Sequence, residues 1–172
     1  MPDDSPVAFV TGASRGIGKA GALALAEAGF DVVVTARTLR AGETHDYATS
    51  SAEAGKQTAL PGSVEETASL VEKAGQRALP LRLDLMDRSS LDQAVERTIA
   101  EWGRIDVLYN NGIYQGPGVM DPFLELAEED LARVFEGNFF AQLHLTRRVL
   151  AHMLERGAGA IVNMTSNAAQ HD

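Results

Sequence analysis

A chain of 172 residues with 45% hydrophobic and 23% charged residues has the size and make-up of one globular domain, which excludes a disordered or low-complexity polymer. Its formal net charge of −9 repels phosphate backbones and anionic lipid, so no nucleic acid and no membrane are expected as partners. The absence of cysteine removes disulfides, thiolate metal sites and thiol nucleophiles, and fits a reducing cytoplasm.

The opening Met1-Pro2-Asp3-Asp4 is acidic and is followed by only a short apolar run, unlike a signal peptide. Nowhere do about 18 apolar residues run together, so a soluble protein is expected. Val7-Ala8-Phe9-Val10 predicts a strand that ends in a glycine-rich turn over 11–18, after which 19–28 is an alanine- and leucine-rich helix that Gly29 closes. Asp31 to Ala36 predicts a second strand, β-branched and too apolar to have one wet face. Two parallel strands joined by a helix make a right-handed βαβ unit. Further strands are predicted at 77–83, 105–109 and 160–164, with helices at 64–74, 89–102 and 128–156. The alternation implies a single α/β domain: a Rossmann-like, doubly wound parallel β-sheet with helices on both faces. Residues 38–62 break the pattern, being polar, with glycines, a proline and no sustained period; loops of that length are functional or mobile. In the long helix Leu131, Val134, Phe135, Phe139, Leu143, Leu145 and Val149 occupy more than one stripe, so part of it is a candidate subunit contact.

The glycine turn carries the strongest chemical signal. Gly12 permits a tight turn with positive φ, Gly16 lets the backbone approach a pyrophosphate, and Gly18 lets the helix pack close to the first strand. The helix start then offers free N–H groups and partial positive charge to phosphates. Three residues separate Gly12 from Gly16, a spacing unlike the more widespread G-x-G-x-x-G. The run Thr11-Gly12-Ala13-Ser14-Arg15-Gly16-Ile17-Gly18 instead resembles the Thr-Gly-x-x-x-Gly-x-Gly turn of the short-chain dehydrogenase/reductase family at every fixed position.

Other resemblances follow in order over essentially the whole chain. Asp84-Leu85 resembles the family's aspartate after strand three, which holds the adenine ring. Asn110-Asn111-Gly112-Ile113 stands where the family has Asn-Asn-Ala-Gly. Either Gly112 replaces the alanine and Ile113 the glycine, at some loss of backbone freedom, or one residue is deleted; Asn110 keeps its bracing role in both. By resemblance Asn138 supports a proton-relay water, and Ile161 to Ser166 is strand five with its catalytic serine, Ser166. A serine there donates to a substrate carbonyl oxygen; from the residues alone it could equally cap the next turn.

The second strand ends in Ala36-Arg37, without the acid that takes the ribose hydroxyls of NAD. A guanidinium grips a 2′-phosphate, and Arg15 can approach from the other side, so NADP (NADPH) is the expected cofactor and NAD the disfavoured one. The plain alternative for Arg37 is a solvated strand end. The family's acid/base is a tyrosine followed four residues later by a lysine. Here Tyr47, Tyr109 and Tyr114 are followed at that spacing by Ser51, Ile113 and Gly118. His45, His144, His152 and His171 show no metal or triad spacing, and no metal is expected.

The resemblance therefore implies an NADP(H)-dependent oxidoreductase of small-molecule carbonyl or alcohol substrates, a homodimer or homotetramer in the cytoplasm, whose natural polypeptide is expected to be longer. The alternative is a nucleotide-binding module without the acid/base pair.

Overall fold

The computed structural model describes residues 5–166; the acidic start at 1–4 and His171 lie outside them. The strands are β1 (Val7–Thr11), β2 (Asp31–Ala36), β3 (Thr44–Asp46), β4 (Gln57–Ala59), β5 (Ala78–Arg82), β6 (Val107–Asn110) and β7 (Ala160–Asn163). Five of them form one parallel sheet in the order β5-β2-β1-β6-β7. The helices are α1 (Gly16–Glu27), α2 (Val64–Lys73), α3 (Arg88–Trp102), α4 (Glu128–Phe135) and α5 (Ala141–Arg156).

Strands β1 and β2 are buried at every residue because they hold the middle of the sheet. Their alternating side chains feed two separate cores. Val7 and Phe9 meet Leu91 and Val95 of α3 and Leu145 and Val149 of α5. Ala8 and Val10 meet Ala22 and Ala26 of α1 and Ala68 and Val71 of α2 on the other face. Continuous apolar strands are thus the signature of a sheet covered on both sides. Helix ends are set locally: Ser63 Oγ accepts from Glu66 N at the start of α2 (3.1 Å), and Asp87 accepts from Ser89 N at the start of α3 (2.9 Å). The left-handed Gly103 (φ 71°) ends α3 by donating its N–H to Ile99 O (2.9 Å).

Two expectations need correcting. Residues 38–62 are not without structure: β3 and β4 pair as an antiparallel hairpin around a short 3-10 turn at Ser51–Glu53. The hairpin is held by polar bonds that no hydrophobic period reveals. Asp46 accepts from Ala48 N (2.9 Å) and Gly55 N (2.6 Å), and Val64 N and Glu65 N return to Thr38 O and Leu39 O. The helix predicted over 128–156 is also interrupted, by a π-helical turn at Glu136–Phe140 between α4 and α5. Gly137 sits in that wide turn against Tyr114, where an added Cβ would lie 2.4 Å from the Tyr114 Cβ.

The chain runs outward from β1 through β2 to β5, then crosses to β6 and β7. The order reverses between β1 and β6, and the crevice beyond their C-terminal ends is where ligands bind in folds of this kind.

Candidate functional site

The crevice is built by backbone approach. Gly12 has φ +67°, and an added Cβ there would lie 2.7 Å from Gly112 Cα. A Cβ on Gly18 would lie 2.3 Å from Gly12 O, so α1 can meet the turn only without a side chain at that position. Gly16 (φ +55°) faces open space, which leaves its backbone approachable. Helix α1 begins with no side chain capping its first turn and no acidic residue in it, an arrangement suited to an anion.

Thr11 and Asn111 lock the turn to the end of β6. Thr11 Oγ1 accepts from Asn111 N (3.0 Å) and Gly112 N (2.9 Å), while Asn111 Nδ2 donates to Thr11 O (3.1 Å) and Gly12 O (3.3 Å). Gln142, the second residue of α5, donates its side-chain amide to Gly112 O.

Gly12, Ser14, Arg15, Ile17, Gly18, Arg37, Asp84, Leu85 and Gly112 line one cavity of about 290 Å³, with Gly16 in the turn that frames it. Residues predicted from four separate stretches of sequence therefore come together. An elongated anionic nucleotide fits this donor set: the amides of an uncapped helix start with no acid in its first turn in the middle, and Arg37 at one end. Asp84 Oδ1 accepts from Met86 N (3.0 Å), fixing the carboxylate beside the cavity. The described residues contain no cluster of His, Asp and Glu that could hold a metal ion, and no helix of the described chain is long and apolar enough to cross a membrane.

Three predicted residues lie away from this lining. Asn110 is buried behind it and braces β6, β7 and α5, donating to Asn163 Oδ1 (2.9 Å) and Thr146 Oγ1 (3.1 Å). Asn138 lies in the π-helical turn, with both ends of its amide on one residue: its Oδ1 accepts from Tyr114 N (2.7 Å) and its Nδ2 donates to Tyr114 O (3.3 Å). Its side chain is thus a strut for the loop after β6. Ser166 is exposed just beyond β7, on the same C-terminal rim of the sheet. Of the two readings of Asn110 to Ile113, one has Ile113 lose backbone freedom; no non-glycine residue among those described has positive φ, so Ile113 carries no such strain.

The sequence reading missed Asn111, Thr38 and Tyr47, which also line the cavity. Tyr47 comes from the 38–62 segment. Burial works to raise the pKa of its phenol, but hydrogen bonds with Thr38 and Arg15 and the charge of Arg15 leave it below the ordinary tyrosine value. Arg15, expected to approach a 2′-phosphate from the side opposite Arg37, also donates to Pro61 O (3.0 Å), Tyr47 Oη (3.1 Å) and Thr38 Oγ1 (3.2 Å). An arginine within a run of polar loop residues was the available signal, since a fork of five donors seeks nearby carbonyls and hydroxyls.

The family model described as short chain dehydrogenase matches residues 6–65 and 44–172. Cyclohexanol dehydrogenase of Rhodococcus sp. (strain TK6) is 35% identical over 172 residues, which cover 98% of this chain and 59% of that protein. A variant of actinorhodin polyketide ketoreductase, solved with NADPH, matches with a TM-score of 0.76 at 30% identity over 99% of this chain and 57% of that one. Carveol dehydrogenase from Mycobacterium avium, solved with NAD, shares the fold with a TM-score of 0.78 at 23% identity, over 97% and 56% of the two chains. The chain spans about half the length of the curated relatives it matches. The glycine turn, the sheet order and these likenesses agree: the chain belongs to the short-chain dehydrogenase family of oxidoreductases.

Proposed function

We propose that this chain forms the nucleotide-holding part of an oxidoreductase that transfers hydride between NADP(H) and a small carbonyl or alcohol substrate. The carrying observation is the single cavity in which the glycine turn, Arg37, Asp84 and Gly112 meet. In this reading the amides at the start of α1 take the pyrophosphate, Asp84 with Leu85 holds the adenine end, and Arg37 takes the 2′-phosphate in place of an acid that would favour NAD.

Bound NADPH would supply the hydride. The chain binds and orients it, and Ser166 donates a hydrogen bond to the substrate oxygen on which charge develops. Asn110 and Asn138 hold the walls of the crevice through Asn163, Thr146 and Tyr114. Exposed Phe135, Phe139, Phe140 and Leu143 beside the π-helical turn support assembly as a homodimer or homotetramer. A cytoplasmic location fits the absence of cysteine.

A second reading, nucleotide binding without turnover, is favoured by one observation: none of Tyr47, Tyr109 and Tyr114 has a lysine four residues on. Nicotinamide absorbance, followed with NADPH and a panel of aldehydes and ketones, separates the two. Turnover that falls about 100-fold in Ser166→Ala supports the enzyme. NADPH binding without turnover on any member of the panel supports the second reading.

A further inference from the structure

Tyr47 follows β3 and lies between two guanidinium groups at one end of the cavity. Arg15 Cζ is 5.3 Å and Arg37 Cζ 4.9 Å from its ring centroid. Two like charges no more than about 10 Å apart repel each other and would separate if nothing held them. The ring offers each a negative π-face.

The rest of the 38–62 segment fixes the same pair. The Tyr47 hydroxyl is 2.9 Å from Thr38 Oγ1 and accepts from Arg15 Nη1, while Arg15 Nε donates to Pro61 O at the far end of the segment. Arg37 Nη2 donates to Asp46 O (3.2 Å). At the joint with the glycine turn, a Cβ on Gly62 would lie 2.5 Å from Ser14 O. The far side is tied down as well, by Met120 N to Thr49 O (3.0 Å) and Ser51 N to Asp121 (3.0 Å). Arg15 Nη2 also reaches Gly62 O (3.5 Å), so Arg15 uses four of its five N–H groups and keeps one on Nη1 with its charge, while Arg37 uses fewer and keeps an edge for an anion.

We propose that Tyr47 is a positioning residue for nucleotide selectivity: by holding Arg15 and Arg37 to its ring, it presets a paired-guanidinium corner for the 2′-phosphate of NADP(H). This rests on the cavity being the NADP(H) site. NADH has no 2′-phosphate and does not draw on the corner. The ring's contribution is preorganisation, so its loss appears only in ligands that bear the phosphate.

The test is calorimetric titration of wild type, Tyr47→Phe and Tyr47→Leu with NADPH, NADH and adenosine 2′,5′-bisphosphate. Loss of two cation–π contacts in Tyr47→Leu raises the Kd for NADPH and for the bisphosphate about tenfold, with NADH changed less than about twofold. Tyr47→Phe keeps the ring and stays within about threefold of wild type. Tyr47→Gln supplies the same ratio should the leucine variant not fold. A wild type that binds NADPH while the ringless variants lose NADPH and NADH equally, or lose neither, overturns the role of Tyr47. A wild type that binds no NADPH overturns the proposed function, and the inference with it.

Discussion

Gly18→Ala isolates the close approach on which the crevice depends. The new methyl would lie 2.3 Å from Gly12 O and 2.4 Å from Asn111 Nδ2, whereas ordinary contact begins at 3.4 Å. The oxygen belongs to the backbone and cannot rotate away, so α1 and the turn must separate by about 1 Å. Asn111 then loses its bonds to Thr11 O and Gly12 O, worth about 1 kcal/mol each. Overpacking adds about 1–3 kcal/mol, and the better helix propensity of alanine returns about 1 kcal/mol. A net destabilisation of about 2–4 kcal/mol lowers Tm by about 4–16 °C in a chain of this size. Because the α1 amides move with the turn, NADPH affinity falls tenfold or more, by roughly 1.4 kcal/mol at the least. Gly29→Ala is the control. Gly29 has φ +90° with open space around it, so alanine there costs about 1–2 kcal/mol of backbone strain without touching the cavity. Thermal unfolding and NADPH titration of both variants decide the matter. Wild-type affinity in Gly18→Ala, or an equal loss in Gly29→Ala, refutes the reasoning.

Arg37→Asp places an acid at the end of β2, where it repels a 2′-phosphate and accepts ribose hydroxyls; titration should show NADPH weakened about 100-fold or more and NADH weakened far less. Asp106, in the turn before β6, gives the pH dependence. Burial works to raise its pKa, but bonds from Arg104 (2.7 Å), Val7 N (2.8 Å) and Arg156 (3.1 Å) hold it below the ordinary carboxylate value. With the folded pKa below the unfolded one, its stabilisation is present above about pH 4 and is lost as pH falls through the folded value. Urea unfolding across that range should show Asp106→Asn less stable near neutrality by about 1–3 kcal/mol and converging on wild type in acid; equal stability near neutrality would contradict this.

What was legible in the sequence is what short-range pattern encodes. β2 falls at Asp31–Ala36 as read, because a β-branched apolar run between Gly29 and Arg37 has no other good conformation. The cavity lining was legible because glycine spacing reports backbone geometry directly. Three features were hidden for physical reasons. The hairpin in 38–62 rests on Asp46 and on bonds between polar groups, which leave no apolar period. The π-helical turn at Glu136–Phe140 keeps the helical spacing of its neighbours, and Gly137 alone marks it. Tyr47 shows its place only once the segment folds back on Arg15 and Arg37, a contact that sequence separation conceals. Asn110 and Asn111 look alike as letters, yet one braces the sheet and the other lines the cavity, because successive residues at a strand end face opposite ways.

The most direct test of the central claim is parallel calorimetric titration of the wild-type chain with NADPH and NADH. The account predicts saturable one-to-one binding with NADPH at least about tenfold tighter, a preference carried by the 2′-phosphate at Arg37. Equal or tighter binding of NADH, or no binding of either nucleotide, would contradict it.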